Sequence, residues 1–340
     1  MLLATLKDVY AANPNLQSPA YFNWQFRDTP FRESDAYQFW ILWESGEIRG
    51  FLGYMPVEFR FRGDVHRGCW TLNWHAFGHS ANGLMLLSRL MQDYDHRFLI
   101  GLTSDSIDIY RAYRIPLMMN LPRWIGILNP EKVAQHFKIV NPVNRQRLRA
   151  ASDRLLNNDD ANGIVPCTRF DPDEEFDWSP WPNVRGHVRR TGTYLNWRYL
   201  DIPKHNYRAI HGDDGQFAIY RIERIEGTTD AVIRILEWRF SGRCAAEALA
   251  CILKEGAAQE AVLADFFATA RDVGAELEAL GFVSSSVFGA EPIPFLFRPI
   301  HHTDGICVGI DMPPHRRRRD VDFDAWYITK GDSDLDRIKM

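Results

Sequence analysis

The chain carries one pattern twice, and this internal repeat limits its architecture more than any other feature. The segment YFNWQFRDTP (Tyr21 to Pro30) returns as YLNWRYLDIP (Tyr194 to Pro203), 194 against 21 being an offset of 173, with five of ten residues identical. A second match follows in the same order: TLNWHAFGHSANGLMLLSRL from Thr71 aligns without gaps on ILEWRFSGRCAAEALACILK from Ile235, an offset of 164. A third sets IYRAYRI (Ile109 to Ile115) against ELEALGF (Glu276 to Phe282), an offset of 167. Three matches in order, with offsets that differ only by loop-sized amounts, mean tandem duplication.

At 340 residues each copy has room for its own core. With 46% hydrophobic and 25% charged residues the composition is that of a globular protein. A formal charge of −4 argues against bulk nucleic-acid binding. The five cysteines show no CxxC spacing, which fits reduced thiols, and MLLATLKDVY meets charge too early for a signal peptide. No apolar run reaches about 18 residues. The expectation is a cytoplasmic protein, monomeric or homodimeric, with no membrane or nucleic-acid partner and no metal; His301, His302, Asp304 and Cys307 match no zinc spacing.

Within the first copy, LATLKDVYAANP reads as a helix stopped at Asn13-Pro14, and FWILWES with GEIRGFLGYMPVEFRF as two strands. VHRGCWTLNWHAF is a further strand, and Leu84, Leu87, Leu90 and Met91 mark a helix after Gly78. FLIGLT and SIDIYRAY continue as strand and helix, with Ser104 or Asp105 as cap. AVIRILEW, AEALACILKEG, AVLADFFA and ARDVGAELEALGF repeat that ending. The fold class is α/β, with mixed sheets. The expected boundaries are 1–130, a connector over 131–190 with one helix and a long loop, and 191–340.

This order, with these residues, resembles the GNAT-type acyltransferase family, in a tandem double-domain bacterial form. The resemblance implies an acyl-CoA co-substrate, acetyl-CoA or another. It implies a cofactor-binding strand and turn at Trp74, Ala76, Phe77, His79, Ser80, Ala81, Asn82, Gly83 and Leu84, where backbone N–H groups at a helix start hold a pyrophosphate. It implies Tyr110 as the acid that protonates the departing thiolate, with Tyr113 a rival one turn on. The family's basic, Gly-rich turn is absent: the first copy offers HSANG, and the second has Glu247 where the first has Gly83. Leu277 stands opposite Tyr110. Both differences point to the first copy as the thioester binder.

His75, on the strand beside the pantetheine arm, is a candidate base because imidazole titrates in the useful range; His79 and Glu237 are rivals. Trp24 and Trp197 read as core anchors, or as platforms that stack on a nucleotide base. Trp197, Glu237, Asp332 and Asp334 are the candidate substrate-binding residues. The run His315 to Arg319 reads as a solvated loop or a phosphate clamp. The expected activity is N-acyl transfer to a small-molecule amine bound between the copies. The acceptor expected is an amino sugar, free or nucleotide-linked, for surface polysaccharide. The rivals are a non-catalytic protein with decayed sites and a peptidoglycan-bridge aminoacyl transferase.

Overall fold

The computed structural model describes residues 2–11, 14–155, 164–289, 291–302, 305–317 and 321–333. The first copy runs α1 (Leu2–Val9), α2 (Pro19–Phe26), β1 (Phe39–Glu44), β2 (Glu47–Phe61), β3 (Asp64–Ala76), α3 (Ser80–Asp93), β4 (Arg97–Ile100), α4 (Ser104–Ala112), β5 (Leu117–Met118) and β6 (Arg123–Ile127). Between the copies lie α5 (Pro130–His136), α6 (Pro142–Arg154) and four short strands, β7 (Val165–Cys167), β8 (Glu175–Phe176), β9 (Gly186–Val188) and β10 (Arg190–Thr191). The second copy follows as α7 (Gly192–Leu195), β11 (Arg208–His211), β12 (Phe217–Arg224), β13 (Ala231–Trp238), α8 (Gly242–Ala257), β14 (Ala261–Phe267), α9 (Arg271–Ala279) and β15 (Val283–Ser284). It ends with β16 (Leu296–Phe297), β17 (Ile300–His301), β18 (Val308–Asp311) and β19 (Trp326–Tyr327).

The connector therefore holds two helices rather than one. Each Asn-Pro pair starts a helix here: Asn129 and Asn141 accept from the N–H groups of Lys132 and Val143 at 3.0 and 2.9 Å, and the proline takes the first helical position. Helix α4 is capped by Thr103, one residue before the expected cap. The Tyr-x-Asn-Trp motifs are helical, in α2 and in the turns from Gly192 to Leu200.

Two mixed sheets result, one in the order β19-β9-β2-β3-β4-β18-β5 with β1 also on β2, the other β15-β6-β14-β13-β12-β11-β7. Each sheet takes a strand from the other half of the sequence. Strand β6 leaves the first copy to lie antiparallel between β14 and β15, and β18 leaves the second to lie antiparallel between β4 and β5. A buried arginine–aspartate pair fastens each exchanged strand. Arg97 of β4 holds Asp311 of β18, its Nε 2.9 Å from Oδ2, and Arg123 of β6 holds Asp265 of β14 through Nε and Nη2 at 3.1 and 2.7 Å.

The copies meet at a self-complementary contact. The Trp24 indole N–H donates to the Trp197 carbonyl at 2.7 Å, and the Trp197 indole donates to the Trp24 carbonyl at 3.0 Å. Their rings stack 5.2 Å apart, 23° from parallel. Around them one apolar core runs from Phe51, Phe59 and Trp70 through to Phe217, Leu236 and Phe267, so the two copies share a continuous packing there. Among the described residues no helix is long and apolar enough to cross a membrane.

Truncating either tryptophan removes ring area and leaves the partner's indole N–H unmatched. Trp24→Ala and Trp197→Ala are each expected to lower unfolding stability by about 3–5 kcal/mol in urea titrations. The double variant should lose less than the two losses added. Strict additivity would mean that the pair is not one interaction.

Candidate functional site

Strand β3 is the element on which the expected site rests. Its parallel neighbour β4 runs beside it only at Cys69 and Trp70, whereas its antiparallel pairing with β2 continues to Ala76. From residue 71 to 76 β3 thus has a strand on one side and a V-shaped opening on the other. Past the open end of the V, Gly78 turns the chain at φ +75° and His79 begins α3 without capping it through its side chain. The Asn82 amide closes the turn on the Phe77 carbonyl at 2.9 Å. His79 and Ala81 are exposed, and Leu84 is half-buried. An uncapped helix start carries free N–H donors and the positive end of the helix dipole, which suits an anion.

Gly83 does not line that turn. It lies inside α3, where an added Cβ would come within 3.3–3.4 Å of Trp74 and Ala76, and its carbonyl accepts from the Trp74 indole at 3.2 Å. Its smallness serves the packing of Trp74 against the helix. Glu247 likewise turns aside, bound to Arg243 at 2.9 Å. The carboxylate that sits on the start of α8 is Glu276, which accepts from the Gly242 N–H at 3.0 Å; burial pushes its carboxyl above the usual range. The matching position in the first copy is Ile109, so the informative difference at the two helix starts is Ile109/Glu276.

Tyr110 is 1% exposed, its ring 5.8 Å from that of Trp74. Burial pushes its phenol well above the usual range, with Asp311 adding to the shift and Arg97 and the Thr71 hydroxyl opposing it. His75 is half-buried on the opposite face of β3, 5.6 Å from the Phe51 ring and 4.7 Å from Phe77, and desolvation lowers its pKa. Asn73 Nδ2 is buried without a hydrogen-bond partner, and the buried Thr71 and Tyr110 hydroxyls face each other. An unmatched group costs about 1–3 kcal/mol, and buried polar groups are almost always paired. Their counterparts, Ile235, Glu237 and Leu277, are apolar or fully engaged. Neither Thr71 nor Asn73 was expected as a site residue, although Asn73/Glu237 is a visible difference between the copies.

The V of the second copy is filled by the chain itself. Beyond the β13–β14 pairing, the Tyr327 hydroxyl accepts from the Trp238 N–H at 3.1 Å and donates to Glu237 at 3.0 Å, while Thr329 bridges to Ala268. Glu237 also receives the Tyr199 hydroxyl at 2.6 Å and shares Arg190 with Asp332, at 3.0 and 2.8 Å. These groups are wholly buried, so Glu237 and Asp332 are internal ion-pair partners rather than substrate ligands. Trp197 is no open platform either, since its indole N–H and ring face are spent on Trp24. Asp334 lies outside the described residues, as do Asp304, Arg318 and Arg319. Arg317 is tied to Asp311 at 2.8 Å and donates to the Tyr113 carbonyl at 2.7 Å. No group of three His, Cys, Asp or Glu side chains able to hold a metal occurs among the described residues.

The fold has counterparts in solved structures. Saccharomyces cerevisiae N-myristoyltransferase, solved with myristoyl-CoA and inhibitors, matches 91% of this chain and 77% of its own at a TM-score of 0.50 and 14% identity. A protein from Enterococcus faecalis described as a probable N-acyltransferase matches 92% of this chain and 71% of its own at 0.50 and 11%. At these identities the likeness establishes a shared fold. No protein-family model matches the sequence, and no curated protein does.

Removing the hydroxyl that plugs the second V should cost stability. Tyr327→Phe leaves the Trp238 N–H without its partner, and a loss of about 1–3 kcal/mol in chemical denaturation is expected. An unchanged midpoint would show that water replaces the hydroxyl freely.

Proposed function

We propose that the protein is an acyl-CoA-dependent N-acyltransferase whose first copy, read as residues 1–130 with β18 completing its sheet, binds the thioester. The asymmetry between the two V-shaped openings carries this reading. In the second copy a tyrosine hydroxyl fills the V and a carboxylate sits on the helix start. In the first copy the V keeps the Asn73 amide unmatched beside the Thr71 and Tyr110 hydroxyls, and the sequence has Ile109 in place of that carboxylate. The shared fold with acyltransferases supports the same assignment. The pyrophosphate would meet the N–H groups at the start of α3, from His79 to Ala81, and the pantetheine arm would lie along Trp74, Ala76 and Phe77.

Acyl transfer to an amine requires loss of the amine proton, attack on the thioester carbon, and protonation of the leaving sulfur. A phenol held protonated across the neutral range is a hydrogen-bond donor, so Tyr110 suits the leaving thiolate. His75, kept neutral by desolvation, suits the amine proton. The acceptor would approach β3 beside the half-buried His75, at the margin of the shared core to which Phe51 belongs. Within the amines, an amino sugar remains the acceptor class we favour, and residues 131–340 would supply its contacts outside the Trp24–Trp197 core.

Acetyl-CoA and longer acyl-CoAs at about 100 times their dissociation constants should stabilise the fold by about 2.7 kcal/mol, read as a rise in melting temperature. Absence of a shift with every thioester would sink the proposal. Thiol release across a panel of amines, amino sugars among them, then identifies the acceptor. Tyr110→Phe should slow turnover and leave the melting shift intact; equal turnover would remove Tyr110 from the mechanism. A base whose pKa is lowered stays neutral further into acid, so the acid limb of kcat/KM should lie below about pH 6.5 and vanish in His75→Gln. A limb unchanged in that variant would rule His75 out.

A further inference from the structure

The corner between α5 and α6 carries the most exposed apolar side chain among the described residues. Val140 is 72% exposed, and Val143, at the start of α6, is 54% exposed. Val287, 37% exposed, joins them from a distant part of the chain. The Arg147 guanidinium donates to its carbonyl, and the Asn144 amide donates to the next carbonyl, that of Phe288, at 3.0 Å. Exposed apolar residues scattered singly are ordinary, whereas three valines held in one knot call for a partner.

The hydrogen bonds of the corner hold these side chains outward. Lys138 turns the chain at φ +52°, and the next residue, Ile139, is buried. Glu291 accepts from the N–H groups of Val140 and Asn141 at 3.0 and 3.1 Å and from the Asn144 amide at 2.9 Å. This carboxylate is engaged by three donors at the start of α6, where the helix dipole also favours it. Three cations stand around the valines: Lys138, Arg145 and Arg147, all exposed. The Arg145 Nε donates to the Ile139 carbonyl at 2.9 Å, and Arg147 donates to Asn144 Oδ1 at 3.1 Å besides the Val287 carbonyl. Those acceptors are neutral, so they fix the guanidinium groups without cancelling their charge. Arg149, by contrast, is paired with Glu131 at 2.8 Å and adds nothing to the patch.

Aliphatic side chains projecting from a braced corner, with cations around them, match one kind of surface. Nucleic acid would use the cations but gains little from valine, which offers no ring for a base to stack on. A folded protein would need a cavity shaped to the corner. A bilayer with anionic headgroups is soft, takes apolar side chains below the headgroup level, and attracts lysine and arginine. We propose that the α5–α6 corner docks the protein on an anionic phospholipid surface. Val140 and Val143 enter the interface, and Lys138, Arg145 and Arg147 meet the headgroups. The sequence expectation of no membrane partner rests on spanning segments, and resting against a bilayer requires none. This docking is independent of the acyl transfer proposed above.

Co-sedimentation of the full chain with vesicles provides the test. The protein should pellet with phosphatidylcholine vesicles containing about one-third phosphatidylglycerol and stay in solution with phosphatidylcholine alone. Raising the salt from about 0.1 M to about 1 M, which shortens the Debye length from ~10 to ~3 Å, should release it. Lys138→Asn keeps a residue at ease in the left-handed region and should weaken binding about fivefold. Val140→Ser combined with Val143→Ser should weaken it about tenfold or more, and since both side chains are exposed the fold should survive. Val165→Ser, at a similarly exposed valine on β7, should bind as the parent does. A parent protein that stays in solution with the anionic vesicles overturns the proposal. So does binding that the paired valine variant and the Lys138 variant both leave within about twofold of the parent. Neither result bears on thioester turnover.

Discussion

The reciprocal contact between Trp24 and Trp197 organises the rest of the molecule. Each indole donates to the other's carbonyl and each ring covers the other, so the pair has the self-complementarity of a two-fold dimer interface, here within one chain. A stacked aromatic pair contributes about 0.5–1.5 kcal/mol beyond its buried area. More consequential is what the contact imposes: it places α2 and the turns after Gly192 back to back, and a single core grows outward from them into both sheets. A site between the copies would have to interrupt that core.

Strand exchange follows from the same placement. Once the copies lie back to back, β6 completes the second sheet and β18 the first, so neither sheet closes without chain from the other half. The Arg97–Asp311 and Arg123–Asp265 pairs penalise any separation, because parting a buried ion pair leaves an uncompensated charge at a cost of about 3–5 kcal/mol. Asp311 also receives Arg317, which uses part of the basic run near the C-terminus as an internal clamp. The units of sequence and the units of packing therefore differ: the repeat is legible as two consecutive segments, whereas each folded half is discontinuous.

That difference explains what could be read from the chain alone. The order of strands and helices in each copy was legible because hydrophobic period and glycine position are local properties. The pairing partners of β6 and β18 were not, because both are short apolar strands with nothing in their sequence to name a distant sheet. Asn129-Pro130 and Asn141-Pro142 look like breaks but cap and start helices, a distinction made by where the next turn packs. At the site, comparing the copies singles out Gly83/Glu247 and Tyr110/Leu277, yet Gly83/Glu247 concerns packing and a local ion pair. The opposing carboxylate, Glu276, arrives from another helix, and only the tertiary structure brings it to Gly242. Trp197, Glu237 and Asp332 were misread for the opposite reason: polar or aromatic residues at motif positions looked available, but each is consumed by a partner far away in sequence.

Duplication accounts for why such different fates are compatible with one fold. A V-shaped gap between two parallel strands exposes backbone donors, and a folded protein must satisfy them or keep them for a ligand. The second copy satisfies them with its own C-terminal segment, and the ion pairs around Arg190 make that choice permanent. Having one copy closed in this way lets the other stay open, because the closed copy contributes its stability to the shared core. The unmatched amide of Asn73 is then tolerable in the first copy, where it would be expensive in a domain that had to stand alone. The open site and the plugged one are in this sense a single arrangement, joined through Trp24 and Trp197.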